Sequence, residues 1–161
     1  MNDSLLALAR RIRDEMSALE RLIQRGQEAW RRAQQSADDF YLDSVALNLH
    51  GFYAGVERLF NLIAGVVDAT RPGGSDWHRV VLQQMAAEVP GVRPAVISSI
   101  TRSALDEYRG FRHLVRNVYT FQLDPAKVGQ LALRAPDLLG RVSRELLAFA
   151  DFLEQRGQAD G

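Results

Sequence analysis

The N-terminal stretch carries its apolar side chains at a spacing that only a helix can collect on one side. Leu5, Ile12, Leu19, Gly26 and Ala33 recur every seven residues, flanked by Leu8, Met16, Leu22, Ile23 and Trp30, with no proline to interrupt them. This periodicity predicts an amphipathic helix over about residues 3–35, roughly nine turns long. Such a helix must lay its stripe against something equally long. Either it runs the length of a bundle within its own chain, or its excess packs on another subunit or partner. Both readings are open at this point. Nothing later in the chain alternates with a period of two, so the expected fold is all-α: an antiparallel bundle of four main helices plus short extra ones.

The second stretch, Phe40–Ala69, follows a break at 34–39, where Ser36 and Asp39 have capping-box spacing. Val45, Leu49, Phe52, Tyr53, Val56, Leu59, Phe60, Ile63 and Val67 make it apolar around most of its circumference, so it is the expected central helix. Its polar exceptions, Asp43, His50, Glu57, Asn61 and Asp68, share one narrow stripe, because steps of seven and four return to nearly the same angle. That stripe is either the helix's solvent line or a polar wall facing a site, with His50 or Glu57 beside it.

Thr70-Arg71-Pro72-Gly73-Gly74 is a strong breaker, after which Ser75 is placed to cap a helix running to Val89. Pro90-Gly91-Val92-Arg93-Pro94 breaks the chain again. A short apolar connector over 95–100 then leads to a helix expected over about 102–121. Asp124-Pro125 is a cap followed by an N1 proline. A short helix is expected over 126–134, with a new one starting at Pro136-Asp137 and ending near Gln155, and residues 158–161 form a frayed tail. The whole, 1–161, is a single domain able to bury its own core.

Composition removes several chemistries. The chain has no cysteine, which excludes disulfides, thiolate catalysis and Cys-based zinc sites. Net charge is zero, so a nucleic-acid site would have to be a local patch. No run approaches the ~20 apolar residues of a membrane span, and the N-terminus lacks the apolar core of a signal peptide. A cytoplasmic protein with no membrane contact is the default.

The side chains able to do chemistry gather in Leu105–Leu123, LDEYRGFRHLVRNVYTFQL. On a helix, Tyr108, Arg112, Arg116 and Tyr119 fall within roughly 80° of one another. His113 and Asn117 make a second polar row, and Phe111, Leu114 and Val118 can dock the helix on a core. Without further information this is either a site or a surface paired to acids such as Asp43 and Glu57. Arg112-His113-x-x-x-Asn117-x-Tyr119 resembles the R-N-x-x-x-H-x-Y signature of HEPN-domain proteins, in particular the HepT-like toxins. FRHLVRNVY, the upstream WHRVVLQQM and the all-helical layout extend the resemblance over roughly residues 38–155. Two positions depart from the signature: the family's asparagine is His113 here, and the family's histidine is Asn117. A second register, with Arg116-Asn117 on the R-N pair, would put Phe121 and Leu123 on the histidine and tyrosine.

The resemblance implies a HEPN-like fold, a homodimer, and a metal-independent endoribonuclease toxin acting on RNA, with a nucleotidyltransferase (MNT-type) antitoxin as its partner. It makes Arg112 the phosphate ligand, since guanidinium is always charged and bidentate, and leaves proton transfer to His113 because an asparagine cannot shuttle a proton. Tyr119 falls on the tyrosine such an antitoxin can modify. Arg116, Tyr108, His50 and Glu57 are the expected substrate contacts, and no cofactor or metal is called for. The alternative is a non-catalytic HEPN module that binds the nucleotidyltransferase or its substrate. A metal site from His50, His78 and His113, like that of DinB-type bundles, has no i, i+4 histidine pair to support it. A plain helical interaction protein would bind neither RNA nor nucleotide.

Overall fold

A computed structural model describes residues 1–117 and 123–160, except for the side chains of 112–117. Five helices follow in order: α1 (Asp3–Gln35), α2 (Asp39–Val66), α3 (Trp77–Met85), α4 (Ser99–Asn117) and α5 (Pro125–Ala159). Among the described residues there is no strand, only one isolated bridge between Val89 and Arg93. The fold is all-α, as expected.

The seven-residue stripe does what its period requires. Leu5, Ile12, Leu19 and Gly26 are buried, and α1 packs along both α2 and α5. The N-terminal helix therefore runs the length of its own bundle. Asn2 caps it, its side chain accepting from the Leu5 N–H at 3.3 Å. The Asn2 N–H in turn donates to Gly157 O at 2.7 Å, which ties down the end of α5. Helix persists to Ala159, so the expected fraying from residue 158 gives way to an anchored end. α2 is central as expected, with Val45, Leu49, Phe52, Val56, Ile63 and Ala64 buried. Its cap is Asp38, accepting from Phe40 N–H at 3.0 Å, while Ser36 accepts from Asp38 N–H instead of capping the helix.

α2 ends at Val66 rather than Ala69, Asp76 and not Ser75 precedes α3, with no side-chain cap bond, and two further boundaries differ from expectation for identifiable reasons. α3 ends at Met85 rather than Val89, because Val89-Pro90-Gly91-Val92 forms a tight turn. Gly91 takes φ 76°, and Val92 N–H returns to Val89 O at 3.0 Å, the pattern of a type II turn with Pro at its second position. The second is α5, which passes straight through Pro136 where a new helix was expected. Proline removes the N–H that would reach the carbonyl four residues back. That carbonyl, Ala132 O, instead accepts from Gln27 Nε2 of α1 at 2.6 Å. A side chain 105 residues away replaces the missing helical donor, so the break never develops.

α3 and α4 pack against α2 and each other, and α4 also reaches α5. α4 starts at Ser99. Ser98 Oγ accepts from Thr101 N–H at 3.2 Å, and Glu145 of α5 accepts from Ser98 N–H at 2.6 Å and from the Thr101 hydroxyl. A carboxylate at this helix start meets both the orphan N–H groups and the positive dipole end. α4 is thus clamped to α5 at its beginning.

Candidate functional site

α4 carries Tyr108, Arg112, His113, Arg116 and Asn117, and its first half is docked by Thr101, Leu105, Tyr108 and Phe111, all buried. Tyr108 is 2% exposed. Its ring meets Phe52 of α2 edge-on, with centroids 6.3 Å apart, and its hydroxyl donates to Leu131 O of α5 at 2.6 Å. Burial pushes this hydroxyl well above the usual tyrosine range. Tyr108 is therefore a core residue joining three helices, and not the surface contact expected of it. The exposed side of α4 is charged: Asp106 accepts from Arg109 at 2.7 Å, and Glu107 accepts from Arg134 of α5 at 3.0 Å.

The α4 backbone remains helical through Asn117, so Arg112, His113, Arg116 and Asn117 follow Tyr108 on one continuous helix. Their side chains, and Tyr119 altogether, lie outside the described residues.

His50 and Glu57, expected near the site from α2, lie on a cavity of about 480 Å³ between α2 and α3. Leu22 of α1 also lines it, packed against Gly51, and Ala54, Arg58, Asn61 and Trp77 complete the lining. Glu57 is only 4% exposed. Its Oε2 lies 2.9 Å from Nδ1 of His78, whose ring stacks on Trp77 at 3.6 Å between centroids. His78 entered the sequence analysis only as one of three histidines without metal-ligand spacing; in the fold its side chain is 24% exposed and partners a buried carboxylate. Its place at the second position of α3, facing a polar stripe, was the available signal.

At the far end of the same stripe, Asp68 meets Arg93, whose side chain is completely buried. All five guanidinium N–H groups donate: Nε and one Nη2 hydrogen to Asp68 at 2.6 and 2.8 Å, the other to Gln84 O at 3.1 Å, and the Nη1 pair to Ala87 O and Pro94 O at 2.8 and 2.9 Å. The solvent-line reading of the stripe is corrected by these two contacts: Glu57 and Asp68 are buried pins that hold the α3 segment to α2. Sequence reasoning saw Arg93 only as part of a breaker.

The first turn of α3 also faces α4. Asp76 lies below the usual carboxylate range, chiefly through its hydrogen bond with Arg79 and more weakly through the charge of Arg109. The α2–α3 cavity and the motif helix are thus neighbours across α3. Among the described residues, no group of three His, Cys, Asp or Glu is placed to share a metal ion. Nor is any helix among them long and apolar enough to cross a membrane.

No curated protein and no solved structure matches this chain. A family model described as "HepT-like protein" matches residues 44–153, from the second turn of α2 to the last turns of α5. That span holds the polar stripe from His50 onward and the whole of α4, and leaves out α1. It covers well over half of the sequence, and the chain belongs to the HepT-like protein family.

Proposed function

We propose that the chain is the ribonuclease toxin of a toxin–antitoxin pair, cutting RNA without a metal from a site on the Arg112–Tyr119 stretch. The observation that carries this reading is the family match, which spans the stretch Arg112-His113-x-x-x-Asn117-x-Tyr119. In this reading Arg112 neutralises the scissile phosphate, aided by Arg116 one turn on. His113 takes the proton of the 2′-hydroxyl as that oxygen bonds to phosphorus; the bond to the 5′-oxygen breaks, and the leaving oxygen is protonated from solvent. Asn117 orients the phosphate or ribose. Two copies of the chain form the working unit in the cytoplasm, and a nucleotidyltransferase antitoxin silences it by modifying Tyr119.

The specific observation favouring a second reading is Asn117 itself. It stands where the family signature has its histidine, and an amide moves no proton. If His113 does not take over that role, the chain is a binding module for the nucleotidyltransferase or its substrate.

Cleavage of a mixed RNA pool in EDTA separates the two. Wild type is expected to cleave and Arg112→Ala to lose cleavage. His113→Ala is expected to fall by two orders of magnitude or more, in the range of a removed general base. An intact pool after incubation with unmodified, partner-free wild type would sink the enzyme reading and leave the binding module.

A further inference from the structure

The motif helix is held to α5 on both sides of a proline. On the C-terminal side of Pro136, Glu145 accepts from Ser98 N–H at 2.6 Å and from the Thr101 hydroxyl at the root of α4. On the N-terminal side, Leu131 O accepts from the Tyr108 hydroxyl at 2.6 Å, and Arg134 donates to Glu107 at 3.0 Å. α4 is continuous helix from Ser99 to Asn117 and spans these holds as a strut. Its seat is therefore fixed only while the two parts of α5 keep their angle.

That angle has one weak point. Pro136 deprives Ala132 O of its helical donor, and sharp helix kinks gather at such residues. What stands in for the donor is one side-chain bond from α1, Gln27 Nε2 to Ala132 O at 2.6 Å. The adjacent carbonyls of Leu131 and Ala132 thus receive side-chain donors from two different helices, Tyr108 of α4 and Gln27 of α1. One turn on from Gln27, the Trp30 indole closes directly on Gly129, where even a Cβ would sit 2.5 Å from it. Gln27 also lines, with Trp30, Leu133 and Pro136, a groove of about 690 Å³ between α1 and α5. Its amide is half-buried and can exchange Ala132 O for water at that groove.

We propose that Gln27 is the lock of a proline hinge in α5, and that through this hinge α1 sets the seat of the motif helix. With Gln27 bonded, α5 runs on through Pro136 and both holds on α4 are made. With Gln27 released, Ala132 O is freed and α5 bends at Pro136. Tyr108 and Glu107 then lose their partners, while Glu145 keeps the root of α4. Such a two-state element is what coupling between separated parts of a fold requires. Gln27 acts through α5, so it is a positioning residue, and its effect on cleavage rests on the ribonuclease reading above.

Amide hydrogen exchange on the full chain tests the hinge, with residues 56–63 of α2 reporting overall stability. In Gln27→Ala, amides 101–111 of α4 and 126–135 of α5 are expected to lose about tenfold more protection than those of α2, the worth of about one hydrogen bond. Pro136→Ala gives Ala132 O back its helical donor. In Gln27→Ala/Pro136→Ala the α4 amides should therefore return to within about twofold of Pro136→Ala alone. An equal loss in all three helices makes the bond an ordinary stabilising contact and overturns the proposal. An α4 defect that persists in the double variant also overturns it, because Gln27 would then act by a route other than Pro136. Where wild type cleaves RNA, cleavage should fall in Gln27→Ala and recover in the double variant. Unchanged cleavage beside loosened α4 amides overturns the effect on activity alone. A wild type that cleaves nothing removes the ribonuclease reading, and the exchange result still decides the hinge.

Discussion

Glu57 of α2 and Asp68 just past its end both face the α3 segment, and they are treated differently. Asp68 meets a guanidinium with all five of its donors engaged, three of them on the α3-end carbonyls and Pro94 O, with Gln84 Nε2 adding a further bond to the carboxylate at 2.8 Å. Glu57 meets one histidine nitrogen and also lines a cavity with Arg58 and Asn61. The first arrangement is closed: nothing could be added to it. The second is complete enough to hold α3 in place but leaves Arg58 and Asn61 beside a cavity with no hydrogen bond or ion pair among the described residues. Buried polar groups that satisfy one another specify the fold, and those left open beside a cavity are where binding is to be sought.

The largest effect expected from breaking this comparison is at the closed end. Arg93→Ala leaves Asp68 buried without its partner and frees three carbonyls, and should cost about 3–5 kcal/mol in urea unfolding. Arg93→Lys should recover little of it, because an ammonium has three donors and no fork. A loss below about 1 kcal/mol in Arg93→Ala would show the network to be dispensable.

The open end should respond much less. Glu57→Gln keeps the shape and one acceptor for a neutral His78, so its stability should stay within about 1 kcal/mol of wild type. If instead Glu57→Gln destabilises as strongly as Arg93→Ala, the two ends are alike, and the cavity is a by-product of a structural pin.

The sequence carried one half of this comparison and not the other. The stripe Asp43, His50, Glu57, Asn61, Asp68 follows from helix geometry alone, but its partners His78 and Arg93 lie 21 and 25 residues from their acids, across breakers whose path no periodicity specifies. Pro136 is the same lesson in reverse. Locally it ends a helix, and a contact from Gln27 overrides it. On α4, the wheel grouped Tyr108 with Arg112, Arg116 and Tyr119 but could not say which side of the group meets the core. The α1 repeat was legible throughout because a long amphipathic stripe needs no distant information to be recognised.

Tyr108 belongs with the closed end, and it gives the smallest and most specific prediction. Tyr108→Phe removes the bond to Leu131 O but keeps the ring against Phe52, so at neutral pH it should cost about 0.5–1.5 kcal/mol. The pH dependence separates this from a generic packing loss. Burial raises the folded-state pKa of Tyr108 above its unfolded value near ~10, so between the two the folded chain holds a proton that the unfolded chain has released. Stability from this group is therefore fully present below pH ~10 and declines as pH rises above it. Thermal unfolding from neutral pH to the alkaline side should show wild type losing stability more steeply than Tyr108→Phe, the two curves converging as pH climbs. Parallel curves would mean that the hydroxyl titrates as it does in the unfolded chain. Solvent would then reach the root of the motif helix.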